Sequence, residues 1–344
     1  MSEQKNIQQV IVADIGGTNA RFAVASLVKD QDTGNDAIPI DHFIGYSCSE
    51  FHEPQSLVRA YLRDCPVKGL DTACFAVAGP ADGTSAYLTN LGWQFDANKL
   101  SDTLGLNTII VANDFAALAR SVTALNPEKL ISLHGSADAQ ASGPLSVMGP
   151  GTGFGVAQVI QQNDRVTVIP TEGGHSAFVP TGELETKVWD MVRESMGHIT
   201  IETFLSGIGI LRIYRAVCTL NEMTPLNYEP STISQLAIEH SDPACVDTLN
   251  VFCTMLGGVA SDIAMTNGSI GGVYLGGGIL PKIASFVEKS ALVANYLDKP
   301  PMQKYVEKIP LSLIMDPEAA LIGAALLARD ALAERALAEN ALTS

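Results

Sequence analysis

Apolar runs punctuated by glycine set the pattern of this chain. From Val10 to Val28 the sequence VIVADIGGTNARFAVASLV reads as a strand, a tight turn at Gly16 and Gly17, and a second strand in which Phe22, Val24 and Ser26 alternate with Ala23, Ala25 and Leu27. Residues 145–160, LSVMGPGTGFGVAQVI, repeat that plan around a glycine-rich turn from Gly149 to Gly155. Two similar halves are therefore expected, each opening with a hairpin aimed at one cleft. Between the hairpins, DTACFAVAGPADG reads as a buried strand ending in a turn, and NTIIVANDFAALARSV as a strand running into a helix. Val246, Leu249, Phe252, Met255, Leu256, Val259 and Ile263 recur at steps of three and four, which predicts a largely buried helix stopping at Asn267 and Gly268. GGVYL is a further strand that ends in Gly276, Gly277 and Gly278, where bare backbone can admit a flat ligand. Asp316 as a cap and Pro317 in a first turn predict a last, alanine-rich helix to about Ala338. Alternating strands and helices point to the α/β class, with no low-complexity tract or linker between independent modules.

Composition narrows the function classes. The 344 residues suffice for two domains, and a chain 47% hydrophobic and 17% charged can bury a sizeable core. Lys plus Arg number 21 against 37 Asp plus Glu, a net charge of −16 that disfavours nucleic acid and anionic membrane as partners. The polar start MSEQKNIQQV lacks the basic flank and apolar stretch of a secretory signal, so a cytoplasmic location is expected. The most apolar segment, near Ala319 to Ala328, soon meets Arg329 and Asp330 and falls short of the roughly 20 residues of a membrane span. Cys48, Cys65, Cys74, Cys218, Cys245 and Cys253 form no CxxC pair and read as buried thiols rather than as metal ligands or disulfides.

The candidate chemistry gathers at glycine breaks. Asp14-Ile15-Gly16-Gly17-Thr18 puts a carboxylate, a bare turn and a hydroxyl at a strand end, which suits a phosphate whose charge is balanced by a divalent cation held partly through water. The alternative is an ordinary hairpin turn whose glycines supply positive φ, and the loop from Gly149 to Gly155 has the same two readings. GxxxxGK[ST] is absent, as are a helix-opening GxGxxG, the protein-kinase signatures, GxSxG and HExxH, so a phosphate cradle here must be of another design. Asn113 and Asp114 project from the carboxyl end of a buried strand, where Asp114 can accept a proton from a substrate hydroxyl or simply cap the following helix. Glu172-Gly173-Gly174-His175 groups a carboxylate with an imidazole, the alternative being a packing histidine. Glu202 precedes TFLSGIG, where a solvated first-turn acid is the plainer reading.

DIGGTNARFAV, AVAGPADG, LTNLGW, VANDFAALA, GPGTGFGVA, PTEGGHSAF, ETFLSGIGI and VYLGGGI occur in the order found in bacterial glucokinases, which the chain resembles from about Val10 to Ala328. The resemblance implies an α/β chain with the two-domain actin-like ATPase (ribonuclease H-like) fold and a cleft between a smaller and a larger domain. Residues 1–124 would form the small domain, completed by a C-terminal helix 317–340, and 125–316 the large one. It also implies transfer of the γ-phosphoryl group of ATP, with Mg2+, to the 6-hydroxyl of glucose, an entry step of glycolysis. Asp114 matches the catalytic base. Asn113, Glu172, His175 and Glu202 match groups that bind the sugar hydroxyls, and Gly153 a backbone position close to the sugar. Ala13, Asp14, Ile15, Gly16, Gly17 and Thr18 match the first phosphate loop, Gly149, Gly151 and Thr152 the second, and Gly276, Gly277 and Gly278 the turn against the adenosine. Asp14 matches the acid placed near the magnesium, through water. The family pattern SGPG stands here as SGIG at Ser206 to Gly209, which bears on loop stiffness, and the zinc-binding cysteine motif of the related repressor and kinase family is absent. Residues 30–36 look like a variable loop. A homodimer and domain closure on sugar binding are further expectations. A non-catalytic sugar sensor, a sugar-independent ATPase and a kinase for another hexose are the competing readings.

Overall fold

The computed structural model describes residues 8–27, 38–88, 90–135, 143–162 and 165–343, so the stretch 30–36 and the first seven residues lie outside the described residues. The chain divides into two compact units, Met1–Asn126 with Asp316–Ser344, and Pro127–Met315.

The first unit contains strands β1 (Gln8–Ile15), β2 (Asn19–Leu27), β3 (Ile40–Ser47), β4 (Thr72–Val77), β5 (Ser85–Leu88), β6 (Trp93–Asp96) and β7 (Thr108–Asn113), with helices α1 (Pro54–Asp64), α2 (Ala97–Leu104) and α3 (Asp114–Ser121). Its main sheet has the order β3-β2-β1-β4-β7, while β5 and β6 pair separately. The unbroken apolar run at Val10–Ala13 follows from burial on both sides. Ile11, Ala13 and Ile15 join Phe22, Tyr61 and Phe75 in one core layer with residues of α1 and α2, and Val10 and Val12 join an alanine-rich layer on the other side.

In the second unit the strands β8 (Leu130–His134), β9 (Leu145–Pro150), β10 (Phe154–Gln162), β11 (Arg165–Thr171), β12 (Gly272–Leu275) and β13 (Leu311–Ile314) form one sheet of order β11-β10-β9-β12-β13-β8. Its helices are α4 (Glu183–Met196), α5 (Ile201–Phe204), α6 (Gly207–Leu220), α7 (Pro230–Ile238), α8 (Pro243–Asn267), α9 (Ala284–Val287), α10 (Leu292–Leu297) and α11 (Gln303–Val306). The repeat seen in the sequence is a repeat of topology. In each unit a glycine-tipped antiparallel hairpin, β1–β2 or β9–β10, pairs through its first strand with a parallel partner, β4 or β12.

Helix α8 is capped by Asp242, whose Oδ1 accepts from the Ala244 and Cys245 N–H groups, and it ends at Gly268 with φ 61°. It corrects the expectation that the most apolar segment lies at Ala319–Ala328. Among the described residues α8 alone is long and apolar enough to cross a membrane, but 78% of its apolar window is buried in the protein, as befits a core helix.

The last helix, α12 (Ala319–Thr343), belongs to the first unit. It starts two residues later than Pro317 and runs past Ala338, a second correction. Asp316 Oδ1 accepts the Glu318 N–H at 2.9 Å and holds residues 316–318 in a turn, while the Ala-, Leu- and Glu-rich tail carries the helix on by propensity. Leu321, Ala324, Ala325 and Ala328 pack with Ala117 of α3 in the alanine-rich layer. The helices lie so close that a Cβ on Gly323 would overlap the Ala117 carbonyl oxygen. Buried Arg120 of α3 completes the clamp, donating to Asp330 at 2.6 and 3.1 Å and to Thr123 Oγ1 at 2.6 Å.

All six cysteines are free and buried, as the sequence suggested. Burial pushes the Cys74 and Cys253 thiols up to about 12, and desolvation also raises those of Cys48, Cys218 and Cys245. Because all six are buried and the reagent must reach the sulfur, iodoacetamide at neutral pH should label none of them in the native chain and all six in denaturant. Rapid native labelling of two or more, read by intact mass, would contradict this packing.

Candidate active site

In the first unit the candidate residues emerge at the carboxyl ends of parallel strands. Ile15 at the end of β1 is in register with Val77 of β4, and Val77 with Asn113 of β7. The β1–β2 turn and the Asn113-Asp114 pair therefore leave the sheet along one edge, two strand spacings or roughly 10 Å apart.

The β1–β2 turn closes with the Gly16 N–H donating to Asn19 O at 2.9 Å. Neither Gly16 nor Gly17 has positive φ, so conformational need does not explain these glycines. A Cβ on Gly16 would meet only ordinary contact, 3.5 Å from Asn19 O, whereas one on Gly17 would stand 3.1 Å from Asn90 Nδ2. Thr18 is exposed beside the turn. Asp14 lies directly across from Arg21 in the β1–β2 pair and takes Arg21 Nη2 on Oδ2 at 2.5 Å, while Arg21 Nη1 donates to Pro317 O at 2.9 Å. Sequence reasoning missed Arg21, although the two-residue alternation of a hairpin with a known turn is enough to pair positions 14 and 21.

At the end of β7 the cap of α3 is Asn113, not Asp114. Asn113 Oδ1 accepts the Ala116 N–H at 3.0 Å and its Nδ2 donates to Gly79 O at 3.0 Å, which ties the AVAGP turn to the helix start. Asp114 occupies the first helical position, half-buried, with Oδ1 accepting the adjacent Phe115 N–H at 2.8 Å.

The second unit gathers its candidate residues around the first residue of β10. The Phe154 N–H donates to Glu202 Oε2 at 2.9 Å, so Glu202 is a half-buried acceptor and not a merely solvated acid. Gly153 makes this possible, since a Cβ there would overlap that carboxylate. The Phe154 carbonyl is pressed against Gly174 so closely that any side chain at 174 would collide with it. This contact, with the Gly173 N–H donating to Thr171 Oγ1 at 3.2 Å, fixes the short helical turn 173–175 that carries Glu172 and His175. Both side chains are 60% exposed, with His175 Nε2 3.8 Å from Glu172 Oε2, so His175 is no core histidine. Ser206 locks the other side, donating to Glu202 O at 2.8 Å and accepting the Gly209 N–H at 3.1 Å as the cap of α6. Ile208, where the SGPG pattern has proline, is exposed in the first turn of that helix and leaves Glu202 in place.

Met148 near the end of β9 is in register with Leu275 at the end of β12, which brings the loops 149–153 and 276–278 to one edge. They are joined backbone to backbone, the Gly276 N–H donating to Met148 O at 2.9 Å and the Ile279 N–H to Pro150 O at 3.3 Å. A Cβ on Gly149 would collide with Gly276 O, and one on Gly277 with Pro150 O, whereas Gly151 and Gly278 have open space. Thr152 is exposed between them.

The family model for glucokinase matches residues 11–331 of the chain. This chain belongs to the glucokinase family. A glucokinase of Saccharophagus degradans is 39% identical over 316 residues, 92% of this chain and 96% of that protein, and one of Tolumonas auensis is 35% identical over 317 residues. The crystal structure of a glucokinase from an Antarctic psychrotroph superposes with a TM-score of 0.81 at 34% identity, covering 94% of this chain and 99% of that one. The fold extends to more distant members. A Balamuthia mandrillaris glucokinase in complex with glucose reaches a TM-score of 0.77 at 20% identity. The two-domain actin-like ATPase fold expected from the sequence is thus the fold of this glucokinase-family chain.

Proposed function

We propose that this chain phosphorylates glucose at its 6-hydroxyl with ATP as donor, with Asp114 as the general base and Glu172, His175, Glu202 and Asn113 as partners of the sugar hydroxyls. The observation that carries the assignment is the construction of the second unit around Phe154, whose N–H meets Glu202 and whose carbonyl packs against Gly174, so that one residue's backbone positions three candidate sugar ligands. An ATPase without a sugar substrate has no use for such an arrangement.

Asp114 orients the 6-hydroxyl and takes its proton as the oxygen attacks the γ-phosphorus, a contribution of about 10²–10⁴ in rate. No covalent enzyme intermediate is needed. The turns at Gly16-Gly17 and Gly151 and the backbone at Gly278 carry no side chain toward the nucleotide, the Gly16 and Gly151 N–H groups themselves donating to Asn19 O and Gly153 O, and the remaining acceleration comes from alignment and from charge stabilisation of a loose transition state. Among the described residues no group of three or more His, Cys, Asp or Glu side chains is placed to hold a metal ion. That donor set fits a magnesium ion carried mainly by the phosphates of the nucleotide, with Asp14 reaching it through water, and does not fit a protein-built cage. Bound there, magnesium would neutralise phosphate charge. The reaction draws on cytoplasmic ATP, and we place the enzyme in the cytoplasm.

The test is a coupled assay of glucose 6-phosphate formation over a panel of hexoses. Glucose should exceed its epimers by roughly tenfold to a hundredfold in kcat/KM, since a missing or inverted hydroxyl strands a polar partner at about 1–3 kcal/mol. ATP hydrolysis indifferent to sugar, or glucose binding without product, would overturn the assignment. Gly153→Ala probes the sugar side alone. Its Cβ meets the far end of a flexible side chain, so the fold should survive while Glu202 is displaced from the Phe154 N–H. The expected result is a KM for glucose raised about tenfold or more with the KM for ATP unchanged, measured by initial rates.

A further inference from the structure

The LTNLGW segment has no role in the assignments above, yet the fold brings it to the first phosphate loop. A Cβ built on Gly17 would stand 3.1 Å from Asn90 Nδ2 and 3.4 Å from Asn90 Cβ, so the Asn90 amide lies directly against the bare turn. Asn90 lies between β5 and β6, whose ends are anchored. Leu88 and Trp93 on either side are a facing pair and are buried, and the Leu91 N–H donates to Leu88 O at 3.3 Å. Asn90 itself is exposed, and no hydrogen bond engages its side-chain amide among the described residues. A neutral donor thus lies at the turn with no hydrogen bond from its amide among the described residues.

The charge inventory of the loops says what such a donor is for. Residues 13–18, 149–153 and 276–278 contain no Lys or Arg, in a chain with an excess of 16 acidic charges. The nearest guanidinium in sequence, that of Arg21, is already spent on Asp14 and the Pro317 carbonyl. Negative charge on a phosphate at Gly16-Gly17 must therefore be met by backbone N–H groups, by a cation that travels with the nucleotide, and by neutral side-chain donors. Within the reading of the β1–β2 turn as a phosphate loop, on which this step rests, we infer that Asn90 is a further substrate-contacting residue, its amide donating to the phosphoryl group in transfer.

The sign of the side-chain charge tests this apart from any structural role. Asn90→Ala removes the donor, and Asn90→Asp keeps the shape but turns a negative charge toward the phosphate. Turnover of the full chain should fall about tenfold to a hundredfold in Asn90→Ala, with KM for glucose within about twofold of wild type. In Asn90→Asp it should fall about tenfold further, because an anion now faces the phosphate. Thermal unfolding midpoints should match the wild type for both variants, since the side chain is exposed and no hydrogen bond engages its amide among the described residues. Equal kcat in Asn90→Ala and Asn90→Asp, either one matching wild type, or a loss confined to the KM for glucose would overturn the assignment of Asn90 while ATP-dependent turnover of the wild type leaves the phosphate-loop reading standing. If instead the wild type forms no glucose 6-phosphate from ATP, the phosphate-loop reading itself falls, and Asn90 with it.

Discussion

Asp114→Asn will lower kcat for glucose phosphorylation by a factor of about 10²–10⁴ while glucose still binds. The substitution keeps the outline of the side chain and an oxygen able to accept the Phe115 N–H, and the helix cap is untouched because Asn113 supplies it. What disappears is the capacity to take a proton. At 1.36 kcal/mol for each factor of ten, the loss corresponds to about 3–5 kcal/mol of transition-state stabilisation with little ground-state change. Parallel measurements of kcat, of glucose affinity by calorimetry and of the thermal midpoint decide the matter. A loss below tenfold, or one that follows unfolding, would remove Asp114 from the role of base.

The second large effect concerns the fold of the second unit. In Gly149→Ala the new Cβ collides with the Gly276 carbonyl, and both partners are main chain at strand ends, so neither can rotate away. Gly276 is further held by its hydrogen bond to Met148 O, and Gly277 is crowded against Pro150. Overpacking of this kind costs about 1–3 kcal/mol or more, and for a unit of this size each kcal/mol lowers the midpoint by roughly 2–4 °C. The expected outcome is a thermal midpoint lower by about 5–10 °C together with weaker ATP binding. Gly151→Ala is the control, because its Cβ approaches nothing nearer than Gly278 N at 3.9 Å. It should keep the wild-type midpoint and still lose affinity for ATP. Were Gly149→Ala as stable as Gly151→Ala in calorimetry, the two loops would not be packed as described.

Much of this molecule was legible in its sequence. The doubly apolar runs at Val10–Ala13 and Thr72–Val77, the glycine-tipped hairpins and the 25-residue α8 follow from local periodicity, although in the second hairpin the strands reach Pro150 and resume at Phe154, so the turn is shorter than the expected Gly149 to Gly155. Asn113 and Asp114 were readable as residues at a strand's carboxyl end, because a buried apolar run followed by a helical pattern leaves no other place for them. The division of labour between them was not, since either side chain can cap a helix and only the backbone path of the turn selects Asn113.

Local pattern, then, determined the elements, the α/β class, the internal repeat and the set of residues able to carry chemistry. The tertiary structure decided how those residues are used. Gly149 and Gly151 are alike in sequence, but one is walled in by Gly276 and the other is open. Glu202 meets the Phe154 N–H across 48 residues, Arg21 reaches Pro317 across 296, and Asn90 lies against Gly17. Periodicity records only how a segment meets water and core, whereas these contacts depend on which strands lie side by side, and that is settled by the packing of the whole unit.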